Sequence, residues 1–337
     1  MAGGIGSRFW PLSTPEFPKQ FIDILGCGRT LIQLTFDRFA GICPSENFWV
    51  VTNASYVDVV KNQLPHIPAN HILAEPEARN TAPCIAWACW TIQRISPDAN
   101  IVVTPADAVV MNCVEFKRVI TEILNFVQKD DAIVTIGIKP SRPEVGYGYV
   151  EVGEHVHGEI CAVRAFKEKP NLETAQFYLS KGNFLWNAGI FVWNIKTIIK
   201  SIRKYSLQIA AQMDKIISIG RVEEYFPQCE KISIDYAVME PASIDGKVYT
   251  YPSDFGWSDL GNWASLHDEL KKDENKNCAI GDVSFYDCSD CVVHMEDVNR
   301  VILQGLHGYI VAAKDGQFLV CRCQDEQRIK EFTASKR

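Results

Sequence analysis

The sequence predicts an α/β fold with a mixed, mostly parallel sheet flanked by helices, followed by a small all-β domain. Two patterns lead to this expectation. Strand-like apolar segments alternate with segments of helical periodicity between residues 47 and 138, as in βαβ units. After Ala279, short strands joined by Asp/Gly turns replace the helices. We therefore expect a large α/β domain over residues 1–275 and a C-terminal β domain over residues 276–337.

The individual elements follow from local patterns. Thr30 with Gln33 has the form of a capping box and predicts the first helix. The next strands are predicted at residues 47–52, 71–74, 101–104 and 132–138, and the helices between them at 54–64, 81–95 and 114–128. From Gly146 the pattern changes to longer strands and hairpins. In the C-terminal part, strands are predicted at residues 283–286, 292–295, 301–303, 309–312 and 318–321, with a short helix near 325–332.

Composition limits the class of protein. The chain has 337 residues, of which 47% are hydrophobic and 22% charged, as in globular proteins. A formal net charge of −7 argues against general binding to nucleic acid or to a membrane surface. No apolar stretch has the length of a membrane span, and the first residues lack a secretory signal pattern. The 12 cysteines are scattered through apolar segments, which favours reduced thiols and a cytoplasmic location.

A glycine loop opens the chain and is followed by basic residues. Gly3, Gly4 and Gly6 allow a tight turn whose N–H groups face a phosphate, with Ser7 and Arg8 next to it and Lys19 further on. No Gly-Lys-Ser/Thr follows, so the loop is not a Walker A motif. An ordinary turn is the alternative. Since such a loop normally follows a central strand, we expect the native polypeptide to begin several residues before Met1, with a β-branched run.

Two carboxylates follow apolar strands in positions that suit a metal site. Asp107 comes after the strand at 101–104, and Asp259 lies between small residues and large aromatics. Ligands of open α/β sheets collect at the carboxyl ends of strands, and Mg²⁺ prefers few protein ligands together with phosphate oxygens. Each aspartate taken alone is better explained as a turn residue or a helix cap than as a metal ligand.

A polar segment also separates a strand from the long apolar helix at 81–95. Glu75, Arg79 and Asn80 are crowded at this strand end, and either Asn80 or Thr81 suits the N-cap of the helix. Three functional groups are more than a cap requires, so the segment is a candidate binding loop.

Together these segments resemble the nucleotidyltransferases that make nucleotide sugars and, within them, the mannose-1-phosphate guanylyltransferases. The resemblance extends over nearly the whole chain. The matching segments are residues 3–11, 18–21, 75–83, Asp107, 146–149, 166–170, 186–191, 233–240 and 257–261. The fold implied is a Rossmann-like one, the nucleotide-diphospho-sugar transferase fold, with a short β-helix-like C-terminal domain that packs on the catalytic domain and joins subunits. The resemblance therefore implies a homodimer.

The resemblance also implies an activity and roles for residues. Mannose 1-phosphate would attack the α-phosphorus of GTP, and Mg²⁺ held by Asp107 and Asp259 would bridge the reacting phosphates. Catalytic roles are expected for Arg8, Lys19, Asp107 and Asp259. Nucleotide contacts are expected from Gly3, Gly4, Gly6, Ser7, Arg8, Lys19, Glu75, Arg79, Asn80 and Thr81, with Glu75 accepting guanine N–H groups. Sugar-phosphate contacts are expected from Tyr147, Gly148, Glu168, Lys169 and Asn187.

Some features depart from the family or remain open. Relatives usually have Ser or Ala before the metal aspartate and His after it, whereas here Ala106 precedes Asp107 and Ala108 follows it. Ala188 replaces a usual serine. The chain ends before the isomerase domain of bifunctional relatives, so guanylyl transfer alone is expected. The alternatives are another sugar-1-phosphate nucleotidyltransferase and a non-catalytic nucleotide-sugar-binding paralogue. Small core residues explain the cysteines at 288, 291, 321 and 323 better than zinc does, and a solvated strand explains His155 and His157 better than a metal does.

Overall fold

The computed structural model describes residues 1–4 and 7–334. The helices are α1 Leu31–Asp37, α2 Val57–Gln63, α3 Thr81–Gln93, α4 Cys113–Val127, α5 Leu172–Lys181, α6 Ile195–Tyr205, α7 Leu207–Ile219, α8 Val222–Tyr225, α9 Glu240–Ile244, α10 Trp263–Glu269 and α11 Ile329–Ala334. The strands are β1 Val50–Asn53, β2 Ile72–Glu75, β3 Asn100–Val103, β4 Val109–Val110, β5 Ile133–Ile138, β6 Tyr149–His157, β7 Ile160–Lys167, β8 Phe184–Asn194, β9 Val248–Ser253, β10 Trp257–Ser258, β11 Cys278–Ile280, β12 Val283–Tyr286, β13 Val292–Met295, β14 Val301–Gln304, β15 Tyr309–Lys314 and β16 Gln317–Arg322.

The predicted elements between residues 30 and 138 are confirmed within a few residues at their ends. Side-chain caps explain where several helices begin. The Gln33 side chain accepts the Thr30 N–H at 3.0 Å at the start of α1, as a capping box requires. The Asn112 side chain likewise accepts the Glu115 N–H at 3.0 Å at the start of α4. The predicted C-terminal strands are also confirmed as β12 to β16.

The large sheet has six strands in the order β3-β8-β5-β9-β7-β6. The prediction of a mostly parallel sheet is wrong here, because only the β5–β9 neighbours are parallel. The alternation of strands and helices in the sequence predicted the elements but not the order of the strands in the sheet. The long strand β8 enters antiparallel between β3 and β5, and the β6–β7 hairpin adds an antiparallel edge. β1 and β2 form a separate parallel pair.

The chain divides into two compact units. The first comprises Met1–Gly3, Arg38–Pro105 and Val110–Trp257. Its sheet is covered on both faces, since alternate residues of one strand enter different cores. On β8, Phe191 and Trp193 pack in the core that contains α3, α6 and α7 residues, whereas Ile190 and Val192 pack in the core that contains α4 residues. The sheet is therefore buried between two hydrophobic layers.

The second unit comprises Gly4–Asp37, Ala106–Val109 and Ser258–Arg337. Its strands form a four-stranded sheet in the order β11-β13-β15-β16 and the parallel pair β12–β14. In the larger sheet β11, β13 and β15 are parallel, and β16 is antiparallel. Its hydrophobic core combines early and late parts of the chain: Phe9, Leu12, Ile22 and Ile24 with Val292, Ile310, Leu319 and Ile329.

None of the described helices is a candidate membrane span. Within residues 1–4 and 7–334, no helix combines the length and the apolar character needed to cross a bilayer.

Candidate functional site

In the second unit, Lys19 lies at the centre of a compact charged cluster. Lys19 is only 5% exposed. The Lys19 Nζ pairs with Asp107 Oδ2 at 3.1 Å and donates to the backbone oxygens of Asp259 at 2.7 Å and Leu260 at 2.9 Å. Three of the predicted catalytic residues are thus brought together around one ammonium group, although they are far apart in the sequence.

The Asp259 loop is shaped by a glycine and by a strained backbone. The Gly261 N–H donates to Asp259 Oδ1 at 3.0 Å, and a Cβ at Gly261 would lie 2.7 Å from Asp259 Oδ2. Leu260 between them has a φ of 43°, which a leucine rarely adopts. Strain of this kind persists where surrounding structure enforces it, and it often marks functional loops.

The glycine loop contributes a fourth predicted residue to this cluster. Arg8 is exposed, and its Nη1 donates to the Gly261 backbone oxygen at 3.2 Å. Gln20, next to Lys19, donates to the Gly4 backbone oxygen at 3.0 Å and so anchors the loop. Gly6 lies outside the described residues, and Ser7 begins the short helical turn Ser7–Phe9.

The cluster has the donor set for a hard divalent cation. Asp107 keeps 39% of its side chain exposed, so its carboxylate is accessible from solvent. In the part of the chain that the structure describes, no group of three or more His, Cys, Asp and Glu side chains is arranged to hold a metal. An accessible carboxylate such as that of Asp107 suits Mg²⁺, which takes much of its coordination from phosphate and water.

In the first unit, Glu75 ends β2 as a buried carboxyl group. It is 6% exposed, and its Oε1 has no hydrogen-bond partner among the described residues. Burial raises the pKa of Glu75 to about 7. A Cβ at Gly3 would lie 3.4 Å from Glu75 Oε2, so the start of the glycine loop borders this group. The unpartnered Oε1 is a buried acceptor that suits a ligand that donates N–H groups.

The other three residues of this predicted loop have structural partners. Arg79 pairs with Glu77 at 3.0 Å. The Asn80 side chain caps α3 by accepting the Thr81 N–H at 2.8 Å, with a backbone of φ 67° and ψ −173° that is almost restricted to glycine. The Thr81 hydroxyl accepts the Ile234 N–H at 2.9 Å. The interpretation of this segment as a cap is therefore confirmed, and the strain at Asn80 is an additional sign of a functional loop.

The predicted sugar-phosphate residues also lie together in the first unit. Lys169 pairs with Glu168 at 2.7 Å, and the Asn187 backbone N–H donates to the Gly148 oxygen at 2.9 Å. A Cβ at Gly148 would lie 2.6 Å from Glu168 Oε2, so only glycine leaves room for this carboxylate. The Tyr147 ring packs edge-on against Trp186 and Trp257 at 5.3 and 5.4 Å between centroids.

One residue of this group was not singled out from the sequence. Asp235 accepts a hydrogen bond from Asn187 Nδ2 at 3.0 Å. It lies in the 233–240 segment, which contributed to the family resemblance without a role for any side chain. A lone aspartate before the apolar run Ala237–Met239 has the pattern of an ordinary helix start, so the local pattern contained no signal for a site residue.

Comparison with known proteins decides the family. The nucleotidyl transferase family model matches residues 1–276. This chain belongs to that family. The match covers the glycine loop and every predicted site residue up to Asp259, and the family resemblance noted in the sequence is confirmed.

Individual relatives are more specific. Mannose-1-phosphate guanylyltransferase RfbM of Salmonella typhimurium is 34% identical over 98% of this chain and 71% of its own length. Xanthan biosynthesis protein XanB of Xanthomonas campestris is 34% identical over 99% of this chain and 72% of its length. A Thermus thermophilus crystal structure, described as a mannose-1-phosphate geranyltransferase, has a TM-score of 0.89 at 28% identity, covering 99% of this chain and 96% of that one.

Proposed function

We propose that this nucleotidyl transferase transfers GMP from GTP to mannose 1-phosphate, giving GDP-mannose and pyrophosphate. The observation that carries the proposal is the buried Lys19 ammonium, held between Asp107 and the Asp259 loop, in a chain 34% identical to a mannose-1-phosphate guanylyltransferase. A phosphate chain requires such a fixed cation beside carboxylates that accept a metal.

The reaction needs charge neutralisation more than proton transfer. A phosphate oxygen of the sugar phosphate is already ionised, so it attacks the α-phosphorus of GTP directly while the bond to the β-phosphate oxygen breaks. Arg8 and Lys19 hold the triphosphate and the leaving pyrophosphate. The three partners of Lys19 fix its positive charge in position before substrate binds, and a direct contact with a phosphate oxygen requires the exchange of one of these partners.

Asp107 and Asp259 are the residues that would hold Mg²⁺. The bound ion supplies positive charge to the reacting phosphate oxygens. Asp107 also pairs with Lys19 at 3.1 Å, so the lysine and the carboxylate orient each other.

Base and sugar recognition are assigned to the first unit. Glu75 accepts the adjacent N1–H and N2–H donors of guanine, an arrangement that adenine does not offer. Gly3 borders this carboxylate, and Arg79, Asn80 and Thr81 shape the loop around the base. Lys169 binds the phosphate of the sugar, with Tyr147, Gly148, Glu168 and Asn187 forming the pocket beside it.

We extend the proposal to the organisation of the protein. Residues 1–275 form the catalytic domain, and residues 276–337 form a short β-helix-like domain that joins two copies in a homodimer. The parallel strands β11, β13 and β15 support a β-helix-like arrangement. A cytoplasmic location fits the free thiols of Cys84, Cys89 and the other cysteines.

The test is pyrophosphate release measured over a grid of nucleoside triphosphates and sugar 1-phosphates with Mg²⁺. We expect the highest kcat/KM for GTP with mannose 1-phosphate and formation of GDP-mannose by mass. Turnover with UTP and glucose 1-phosphate, but not with this pair, would overturn the guanylyl assignment. Binding of GDP-mannose without any turnover over the whole grid would instead identify a non-catalytic paralogue.

A further inference from the structure

Asp235 lies beside the Glu168–Lys169 pair, and the mechanism proposed above does not use it. It is half-buried and is the first residue of a π-helix, Asp235–Met239. π-helical turns are rare and are frequently found at functional sites. The backbone amide of Ile234, just before it, is fixed by the Thr81 hydroxyl at 2.9 Å. The position of Asp235 is therefore set by the protein rather than by an ordinary helix start.

The amide of Asn187 is largely committed inside the protein. Its Oδ1 accepts from the Thr135 hydroxyl at 2.8 Å and from the Gly189 N–H at 3.1 Å, which uses both lone pairs. Its Nδ2 donates to Asp235 Oδ1 at 3.0 Å. With its oxygen fully used, Asn187 cannot accept a hydrogen bond from a substrate hydroxyl. The Asn187 amide is oriented so that its Nδ2 donates to Asp235.

The surrounding charges leave an excess of acceptors. Glu168, whose side chain is 7% exposed, already neutralises Lys169 at 2.7 Å, so Asp235 is not needed for that pair. Burial and then the Glu168 charge raise the pKa of Asp235 to about 6. A second carboxylate next to Glu168 is therefore unfavourable in the free protein. A ligand rich in O–H donors would satisfy both carboxylates at once.

The location matches the sugar pocket. A Cβ at Gly148 would lie 2.6 Å from Glu168 Oε2 and 3.5 Å from the Asn187 Cβ, so the predicted pocket wall borders the residue that donates to Asp235 and the carboxylate whose charge acts on it. Lys169, which has a φ of 40°, presents the cation expected to bind the sugar phosphate. An acceptor beside this cation faces the hydroxyl groups of the attached hexose.

We propose that Asp235 is a specificity-determining residue that binds the hexose by accepting hydrogen bonds from its hydroxyl groups, and that Asn187 is the positioning residue that orients it. This inference rests on the function proposed above. A site built to pair with a substrate hydroxyl strongly rejects an analogue that lacks it, because the acceptor is then left unpaired.

The first experiment compares the wild type with Asp235→Asn, which keeps the side-chain shape, and with Asp245→Asn, an exposed aspartate that directly follows α9. We expect Asp235→Asn to raise KM for mannose 1-phosphate at least about tenfold while KM for GTP stays within about twofold. Asp245→Asn should match the wild type. Unchanged KM for mannose 1-phosphate in a folded Asp235→Asn protein overturns the inference.

Deoxy analogues of mannose 1-phosphate provide a readout that a merely structural role would not move. The wild type should discriminate against the analogue that lacks one particular hydroxyl, and Asp235→Asn should lose that discrimination while keeping the others. A uniform loss for all analogues would assign Asp235 a structural role only. Circular dichroism and melting temperature verify that each variant is folded.

A double-mutant cycle tests the positioning role of Asn187. Since Asn187 acts through Asp235, the Asn187→Ala effect on KM for mannose 1-phosphate should nearly vanish in the Asp235→Asn background. Additive effects would mean that Asn187 contacts the sugar itself. Failure of the wild type to use mannose 1-phosphate with GTP would instead refute the proposed function, and that outcome is separate from all of these.

Discussion

The two groups of site residues are held in place by different means. Around Lys19 the fixed partners are mainly backbone oxygens, those of Asp259 and Leu260, with Asp107 as the charged partner. Around Asn187 the partners are mainly side chains, those of Thr135 and Asp235. A backbone oxygen is still present as an acceptor when the side chain of its residue is substituted. A network of side chains loses a hydrogen bond with each substitution. We expect the first group to tolerate changes in shape but not in charge, and the second to respond in substrate preference.

The largest effect should come from Lys19→Met. It removes the ammonium and leaves the Asp107 carboxylate and two backbone oxygens without their donor. We expect kcat to fall about 10³-fold, as for loss of a preorganised transition-state donor. Urea unfolding should show a loss of about 2–3 kcal/mol. Lys61→Met is the control, since Lys61 forms an exposed pair with Asp58. Near-normal kcat for Lys19→Met would place phosphate binding elsewhere.

The next effect distinguishes the side chain from the backbone at Asp107 and Asp259, the proposed metal ligands. Asp107→Asn and Asp259→Asn should each lower kcat at least about a hundredfold. Asp259→Asn keeps the backbone oxygen that holds Lys19, so its melting temperature should stay near that of the wild type, whereas Asp107→Asn should lower it. The readouts are kcat at saturating Mg²⁺ and thermal unfolding, with Asp58→Asn as control. A variant with normal kcat would not have lost a metal ligand.

These expectations also show what sequence patterns could and could not provide. Element positions follow from periodicity and caps that lie within a few residues, as for α1 and α4. Lys19 was identified from its position after the glycine loop, and Asp107 and Asp259 from residue type and position after strands. Their mutual contact depends on chain segments up to 240 residues apart. The antiparallel insertion of β8 depends on strand order, which local periodicity does not encode. Asp235 was missed because Asn187, which donates to it, and Glu168, whose charge acts on it, are also distant in the sequence.

A smaller effect should follow the titration of Glu75. Because only the ionised carboxylate accepts both guanine donors and its pKa is about 7, KM for GTP should rise as the pH falls below 7 and level off above 8. Glu75→Gln should raise KM for GTP about tenfold and weaken this pH dependence. Glu46→Gln, at an exposed position, is the control. An unchanged GTP-to-ATP preference in Glu75→Gln would move guanine recognition to other groups.

Stability should show the opposite trend for the same residue. The folded-state pKa of Glu75 lies above the ordinary value, so its favourable contribution is complete below the unfolded-state pKa of about 4.3 and is lost as the pH rises through 7. Glu75→Gln should therefore unfold at a higher temperature than the wild type at pH 8. A lower melting temperature for the variant at pH 8 would contradict this sign.

The smallest effect should come from Thr135→Val, which removes one link from the side-chain network. Thr135 is fully buried and donates to Asn187 Oδ1, while Gly189 still holds that oxygen. Loss of one hydrogen bond of about 1 kcal/mol should raise KM for mannose 1-phosphate about fivefold with little change in kcat. Thr121→Val, an exposed change on α4, is the control. An equal increase in KM for GTP would indicate a general loss of structure.

The core of the second unit has a consequence for how the protein is made. Phe9, Leu12 and Ile22 pack with Ile310 and Ile329, so the residues beside the glycine loop leave the ribosome long before their packing partners are synthesised. At about 5–20 residues per second the interval is roughly 15–60 s. During translation these apolar side chains remain exposed, and the Arg8 and Lys19 cluster can be completed only after nearly the whole chain is finished. A nascent chain stalled before β13 would therefore lack Val292, Ile310, Leu319 and Ile329 of this core and would leave Phe9, Leu12 and Ile22 without these packing partners.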